Sequence, residues 1–439
     1  MNISIIGCGY VGLVTGSCLA ELGHNVLGID NDPRKLACLQ NNSSPIYEPG
    51  LEELIRINCQ EKRLRFSGSI AEGVQHGQII FICVNTPPRP DGSLDLSYVE
   101  AVSKEIAENL QEYRLIVEKS TVPVRTGEWV SKTIREFVRN DVDFDIASNP
   151  EFLREGTAID DFMRPDRVVI GTDSQRAASL LVSLYEPLNA PLLLTDIKSA
   201  ELIKHSANAF LAMKISFINS VAQICSMTGA DIKRVAKGIG LDKRIGLQAM
   251  EAGIGYGGMC LPKDVAAFIE IAKDMGYDFE LLQATEKVNH QQRLWPVQTL
   301  RQHFSTLQGL SIAILGLSFK PNTDDLRFAA SMEIISILQQ EKAHIYAYDP
   351  KALKKACQAN PYITACSSAY EACTHTDAAI ICTEWPEFRS LDMAKLRQLM
   401  HRPLIIDGRN IYEPERIAKH GFEYFCIGRS HIPPVSPQN

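Results

Sequence analysis

The sequence predicts an α/β protein: two doubly wound parallel sheets joined by a long central helix. Three observations carry this. Short apolar runs alternate with helical patterns over residues 1–196, and again from about residue 301. A glycine-rich turn, Gly7-Cys8-Gly9-Tyr10-Val11-Gly12, separates the first apolar run from the first helical pattern. Between the two halves, residues 198–227 keep a helical pattern without a proline. Alternation of this kind builds parallel sheets with helices on both faces.

Ile3-Ser4-Ile5-Ile6 reads as a short buried strand, and a helix is expected over residues 13–22. The GxGxxG turn therefore stands in its required context, after a strand and opening a helix. Gly7 makes the tight turn, Gly9 admits a pyrophosphate and Gly12 allows close helix–strand packing. The helix N-terminus favours the diphosphate charge. Asn25-Val26-Leu27-Gly28-Ile29 forms a second strand ending in Asp30. An acid there, about 20 residues after the glycines, binds a ribose 2′-hydroxyl. It repels a 2′-phosphate, which favours NAD over NADP, while Arg34 and Lys35 leave the question open. Three further strands end in small polar residues: Ile79 to Val84 before Thr86, Leu115 to Lys119 before Thr121, and Phe144 to Ala147 before Glu151. Ligands of doubly wound sheets sit outside the carboxyl ends of strands, so Thr86, Thr121 and Glu151 are expected around one crevice. Helix-capping threonines and a solvated glutamate are the plainer alternatives.

The long helix places Lys204 and Asn208 at i and i+4, on one face. Its apolar surface suits a spine between domains or a dimer interface. A shorter helix is expected over 231–240 and another over 265–275. Between them lies Gly255-Tyr256-Gly257-Gly258-Met259-Cys260-Leu261-Pro262-Lys263-Asp264. The glycines let backbone pass close to a ligand. Pro262 is tolerated in a first helical turn, which would bring Cys260, Lys263 and Asp264 together. A cysteine beside a cation and a helix N-terminus is activated as a thiolate nucleophile. A glycine-rich turn with a structural cysteine is the competing reading.

The last third echoes the first. Ser311 to Gly316, His344 to Pro350 and Ala378 to Thr383 repeat the strand endings of the first half, and Pro403 to Arg409 adds one more. The glycine-rich turn is replaced by Phe319-Lys320-Pro321-Asn322-Thr323-Asp324-Asp325-Leu326-Arg327. This is a rebuilt Rossmann-like domain with Lys320 and Arg327 available for phosphate. The expected organisation is a dinucleotide-binding domain over 1–196, a central helical region over 197–300, a second nucleotide-binding domain over 301–430, and a mobile tail over 431–439.

Bulk composition agrees. The chain has 439 residues, 45% hydrophobic and 22% charged, with a net charge of −7. Such a chain is an ordinary globular protein and not a general nucleic-acid binder. Twelve cysteines show no CxxC pair or ligand spacing, so no metal site is expected. No secretory signal and no run of 18 apolar residues is visible, which predicts a cytoplasmic protein without a membrane span.

Together these pieces resemble the UDP-glucose/GDP-mannose dehydrogenase family. The match rests on the GCGYVG turn, Ser120-Thr121-Val122-Pro123, Asn149-Pro150-Glu151-Phe152-Leu153-Arg154-Glu155-Gly156, the Lys204/Asn208 helix, residues 255–264 and residues 319–327. It covers residues 1 to about 429. The resemblance implies a two-step oxidation of the C6 alcohol of UDP-glucose to the carboxylate of UDP-glucuronate, with two NAD reduced. Cys260 would capture the intermediate aldehyde as a thiohemiacetal, which is oxidised to a thioester and released by water. Lys204 and Asn208 would stabilise oxygen at C6, Asp264 would position water or a proton, and Thr121 and Glu151 would act on a shared water. Gly7, Gly9, Tyr10, Val11, Gly12, Asp30, Lys35, Thr86, Thr121, Glu155, Lys263 and Arg327 would serve NAD. Substrate would be held by Glu151, Phe152, Leu153, Arg154, Lys204, Asn208, Arg244, the loop of Ala249, Met250, Glu251, Ala252, Gly253 and Gly257, and by Lys320 and Arg409. Arg244 would reach it from a neighbouring subunit of a homodimer or larger homo-oligomer.

The chain departs from the family pattern at Met259, at Ala249-Met250-Glu251 and at Ser220. The catalytic set is intact, whereas the loop bears on nucleotide-sugar preference. The same chemistry on GDP-mannose or a UDP-N-acetyl sugar, and a non-catalytic nucleotide-sugar-binding protein, are the alternatives.

Overall fold

Strands whose residues are all apolar need both faces covered, and the inner strands Ile79–Ile82 and Ala378–Ile381 of the two sheets are of this kind. The structure is a computed structural model that describes residues 1–139 and 141–434. The first sheet comprises β1 (Asn2–Ile6), β2 (Asn25–Ile29), β3 (Leu64–Ser67), β4 (Ile79–Ile82), β5 (Arg114–Glu118), β6 (Phe144–Ser148), β7 (Val168–Gly171) and β8 (Leu192–Thr195). Its order is β3-β2-β1-β4-β5-β6-β7-β8. Every neighbouring pair is parallel except β6 and β7. Register sets Ile3 between Val26 and Ile79. Alternate residues then feed separate cores. Ile3, Ile5, Ile79 and Phe81 pack on one face. Ile6, Leu27, Ile29, Ile80 and Ile82 pack on the other.

The second sheet comprises β9 (Ser311–Leu315), β10 (His344–Tyr348), β11 (Thr364–Ala365), β12 (Ala378–Ile381), β13 (Leu404–Asp407) and β14 (Glu423–Cys426). Its order, β11-β10-β9-β12-β13-β14, repeats the first six positions of the other sheet. Ile312, Ile314, Ile380 and Ile406 belong to one core. Ala313, Leu315, Ile381 and Ile405 belong to the opposite one. The expected second copy is therefore present as a sheet.

A 32-residue helix, Ile197–Thr228, lies between the two sheets in the chain. Backbone contacts divide the chain into two compact units: Met1–Ala207 with Ala266–Tyr277, and Asn208–Val265 with Asp278–Asn439. By length and mean hydropathy, 1.3 over its most apolar window, the long helix is apolar enough to cross a membrane. No 18 consecutive residues of it are apolar, because polar residues interrupt the pattern. Several of these, Glu201, Lys204, His205 and Asn208, are buried.

Two helices begin earlier than expected. The first runs Tyr10–Glu21, with Gly9 as its N-cap. The helix after the glycine-rich loop runs Cys260–Asp274 and so starts at the cysteine itself. Pro262 is its third residue, where a backbone N–H has no intrahelical acceptor to lose. Of the tail expected to be mobile, residues 435–439 lie outside the described residues.

Candidate active site

In the first unit, the glycine-rich turn joins β1 to the first helix. Gly7 has φ +100°. A Cβ on Gly12 would stand 1.9 Å from the Gly7 carbonyl oxygen, so only glycine permits this packing. The first helix has neither a side-chain cap nor an acid in its first turn. Its amino end therefore presents backbone donors suited to a diphosphate. Asp30, at the end of β2, is buried. Its Oδ2 accepts from Cys8 N at 2.9 Å and its Oδ1 from Asp32 N at 2.9 Å. Lys35 Nζ lies 3.3 Å from Asp30 Oδ2, so its charge is directed to Asp30, while Arg34 is almost fully exposed. The cradle, the uncapped helix and the acid at the strand end together fit a dinucleotide.

Thr86 Oγ1 donates to the Thr121 carbonyl at 2.9 Å and ties together the segments that follow β4 and β5. Tyr10, beside half-buried Val11, donates from its hydroxyl to Glu48. The same buried carboxylate accepts from Gly156 N at 2.6 Å and Ala158 N at 2.8 Å. Burial first, then Glu48 and Glu155, hold the Tyr10 hydroxyl well above its ordinary pKa. Glu48 thus fastens the segment carrying Glu155 to the start of the first helix. The sequence reading missed it, because a glutamate in Tyr47-Glu48-Pro49-Gly50 carries no pattern beyond a turn.

Glu151 follows β6. Its Oε1 lies 3.0 Å from Lys204 Nζ, and both side chains are about nine-tenths or more buried. Its Oε2 accepts from Leu153 N at 2.6 Å. The Phe152 ring is covered by the Arg167 guanidinium at 3.5 Å, with Lys204 Nζ 5.6 Å from its centroid. A carboxylate held against an ammonium group out of water has a fixed position. Arg154, expected on substrate, is exposed and engaged with Asp161.

In the second unit, Cys260 is exposed, whereas the other eleven cysteines are buried or half-buried. One turn later Asp264 is 1% exposed. Its Oδ2 accepts from Asn208 Nδ2 at 2.5 Å, and Lys263 Nζ lies 3.5 Å from its Oδ1. Among the described residues, none hydrogen-bonds to Asp264 Oδ1, which has the Lys263 ammonium nearby. A buried carboxylate oxygen left without a donor is costly, and such atoms concentrate where a ligand or water completes the set.

The loop before Cys260 is held in close quarters. A Cβ on Gly257 would meet the Phe328 carbonyl oxygen at 2.4 Å, and one on Gly258 (φ +76°) would meet the Phe319 ring at 2.7 Å. Arg409 stitches three segments together, donating to Cys382 O at 2.8 Å, Gly255 O at 3.1 Å and Phe319 O at 3.3 Å. Lys320 Nζ stands 5.6 Å from the Phe319 ring centroid. Gly253 N donates to Asn219 Oδ1 at 2.9 Å, and Glu251 is exposed. The side chains of Met250 and Ala252, expected in the substrate loop, pack into the core of the second sheet. Arg327 is engaged with Asp325 at 2.7 Å, and Arg244, 89% exposed, with Asp242 at 2.6 Å.

The second sheet also shows what its rebuilt turn does. Asp349 ends β10 as Asp30 ends β2. Its Oδ2 accepts from Leu317 N at 2.7 Å, Ser318 N at 3.1 Å and the Trp385 indole at 3.1 Å.

Comparison with known proteins places these features. Residues 1–189 match the NAD binding domain of the UDP-glucose/GDP-mannose dehydrogenase family, residues 198–291 its central domain and residues 313–414 its UDP binding domain. The chain is 45% identical to the UDP-glucose 6-dehydrogenase TuaD of Bacillus subtilis, covering 100% of this chain and 95% of that one. It is 45% identical to the UDP-glucose 6-dehydrogenase of Rhizobium meliloti over 98% of this chain and 100% of that one. A UDP-glucose dehydrogenase structure from Pyrobaculum islandicum superposes with a TM-score of 0.90 at 40% identity, covering 94% and 95% of the two chains. The chain belongs to the UDP-glucose/GDP-mannose dehydrogenase family.

Proposed function

We propose that this protein is an NAD-dependent dehydrogenase that oxidises the C6 alcohol of UDP-glucose to the carboxylate of UDP-glucuronate. The observation that carries this reading is the amino end of the Cys260–Asp274 helix. There an exposed thiol stands one turn from a buried carboxylate clamped by Asn208. NAD, held by the Gly7–Gly9–Gly12 turn with Asp30, supplies the hydride acceptor for both oxidations. The remaining chemistry belongs to side chains. Cys260 Sγ bonds to C6 of the aldehyde and keeps it from leaving between oxidations, first as a thiohemiacetal and then as a thioester. Lys204 stabilises negative charge on the C6 oxygen as a fixed ammonium donor. Asp264, oriented by Asn208, positions the proton or water of thioester hydrolysis. Glu151, with Thr121, serves as general base. Lys320 and Arg409 hold the nucleotide half of the substrate.

We also propose that the protein works as a homodimer or larger homo-oligomer, with Arg244 reaching the substrate of a neighbouring copy. The support is the exposure of Arg244 and of the apolar residues Phe210, Phe217, Ile224 and Met227 on the long helix.

Counting NADH formed per UDP-glucose consumed tests the reaction. Two is expected; one means that oxidation stops at the aldehyde. Silence with UDP-glucose alongside turnover of GDP-mannose or a UDP-N-acetyl sugar reassigns the substrate. Cys260→Ala is expected to abolish acid formation, and full turnover by that variant would remove Cys260 from its role.

A further inference from the structure

A buried ammonium group normally pairs with a carboxylate, because taking it out of water costs several kcal/mol. Lys119, at the end of β5, is 4% exposed, yet no carboxylate lies within ion-pair distance of it among the described residues. Its Nζ donates to Asn149 Oδ1 at 2.9 Å and to the Asn149 carbonyl at 3.3 Å. The rings of Phe81 and Tyr185 flank it, with centroids at 5.8 and 5.9 Å. Asn149 is itself saturated. Its backbone N donates to Glu118 O at 2.9 Å, its Nδ2 to Val169 O at 2.8 Å, and its Oδ1 also accepts from the Tyr185 hydroxyl at 2.5 Å. Pro150 follows and fixes its own φ. Next comes Glu151, the carboxylate paired with Lys204.

We propose that Lys119 is a positioning residue for the reaction: it pins Asn149 and thereby aims Glu151. The assignment rests on the reading of Glu151 as general base. Electrostatic coupling to Glu151 and Lys204 is felt at Lys119, whose ammonium is pushed down to about 8, chiefly by burial. It therefore stays charged through neutrality. The charged or titratable groups facing this cluster are Cys83 after β4, Tyr185 on its helix, Lys204 on the long helix and Arg167.

Lys119→Met keeps the side chain's length and removes its charge. Removing a buried charge that no carboxylate balances relieves its desolvation cost, while Asn149 Oδ1 keeps the Tyr185 hydroxyl as a donor. Two results are expected. First, kcat falls by about tenfold, equivalent to roughly 1.4 kcal/mol, while KM for NAD stays within about twofold. Second, amide exchange at Leu153, whose N–H Glu151 protects, rises. Lys119→Arg, which keeps a donor to Asn149, is expected to retain more of both kcat and protection at Leu153. Unchanged kcat and exchange in Lys119→Met overturn the proposal. Parallel losses of kcat, NAD affinity and melting temperature with Leu153 exchange as in wild type overturn it in favour of a purely structural role. If Lys119→Met does not fold, Tyr185→Phe removes one of the two donors on Asn149 Oδ1. Faster Leu153 exchange with unchanged NAD affinity then supports the proposal, and wild-type exchange overturns it. If the unmodified protein is silent with every nucleotide sugar, the functional reading fails, while the exchange measurement still decides whether Lys119 positions Glu151.

Discussion

Ala249 sits in the left-handed region with φ +59°. For an L-residue other than glycine this backbone costs roughly 1–2 kcal/mol, because Cβ crowds the following carbonyl. The residue lies just before the buried anchors Met250 and Ala252 and the Gly253–Asn219 hydrogen bond. Those anchors hold the loop in a conformation its alanine does not favour. Ala249→Gly removes the strain but adds freedom to the unfolded chain, which offsets part of the gain. The expected net stabilisation is about 0.5–1 kcal/mol. Urea unfolding checks it: a higher midpoint at constant slope is expected, and a lower midpoint would show that the alanine side chain contributes packing that outweighs the strain.

The helix Thr126–Phe137 starts where Glu201 accepts from Arg125 N at 2.7 Å and Gly127 N at 2.8 Å. Burial pushes Glu201 up to about 7. Glu118 is 2% exposed, and burial pushes it to about 8, with Glu201 adding to the rise. An unfolded chain releases these protons near its ordinary carboxylate pKa of about 4.3. Between that value and pH 7 to 8 the folded state holds protons that the unfolded state has lost. Stability therefore falls as pH rises through this window, by up to roughly 1.4 kcal/mol per pH unit for each proton. Glu118→Gln mimics the protonated side chain. It is expected to flatten the decline of melting temperature between pH 5 and 8, and a slope equal to wild type would show that Glu118 ionises normally. Elements such as these mark the limit of what was legible in advance. β4 and β12 were readable because burial on both faces makes every residue apolar, and β1 and β9 because only Asn2, Ser4 and Ser311 interrupt the same pattern. β3 and β14 mix polar with apolar residues, so neither showed the same run. The Lys204–Glu151 and Asn208–Asp264 pairs joined residues whose types were informative, although the sequence did not show that they touch. Lys119 and Glu48 went unread because a lone lysine or glutamate is ordinarily solvated, and only tertiary burial gives it a task.

At the scale of the whole molecule, the long helix leaves Phe210, Phe217 and Ile224 between 56% and 59% exposed at intervals of seven residues. Seven residues make nearly two turns, so the three side chains form one stripe. The same helix meets the length and hydropathy of a membrane span, and two coverings compete for the stripe: a second copy of the chain or lipid. The buried Glu201, Lys204 and Asn208 on the helix favour the second copy, because each is engaged with protein groups. Fully burying a large apolar side chain contributes roughly 1.5–3 kcal/mol, and each of these three has a little over half of that left to gain, together enough to shift an association equilibrium by a few powers of ten. A charge at the centre of the stripe opposes association without touching the core. Phe217→Glu is expected to halve the mass seen by sedimentation equilibrium while leaving the melting temperature of the dilute chain near that of wild type. A loss of turnover in that monomer would follow if Arg244 acts across the interface, and Arg244→Ala in the intact assembly should raise KM for UDP-glucose. If wild type sediments as a monomer, or if it floats with lipid vesicles and Phe217→Glu does not, the stripe is covered by something other than a second copy.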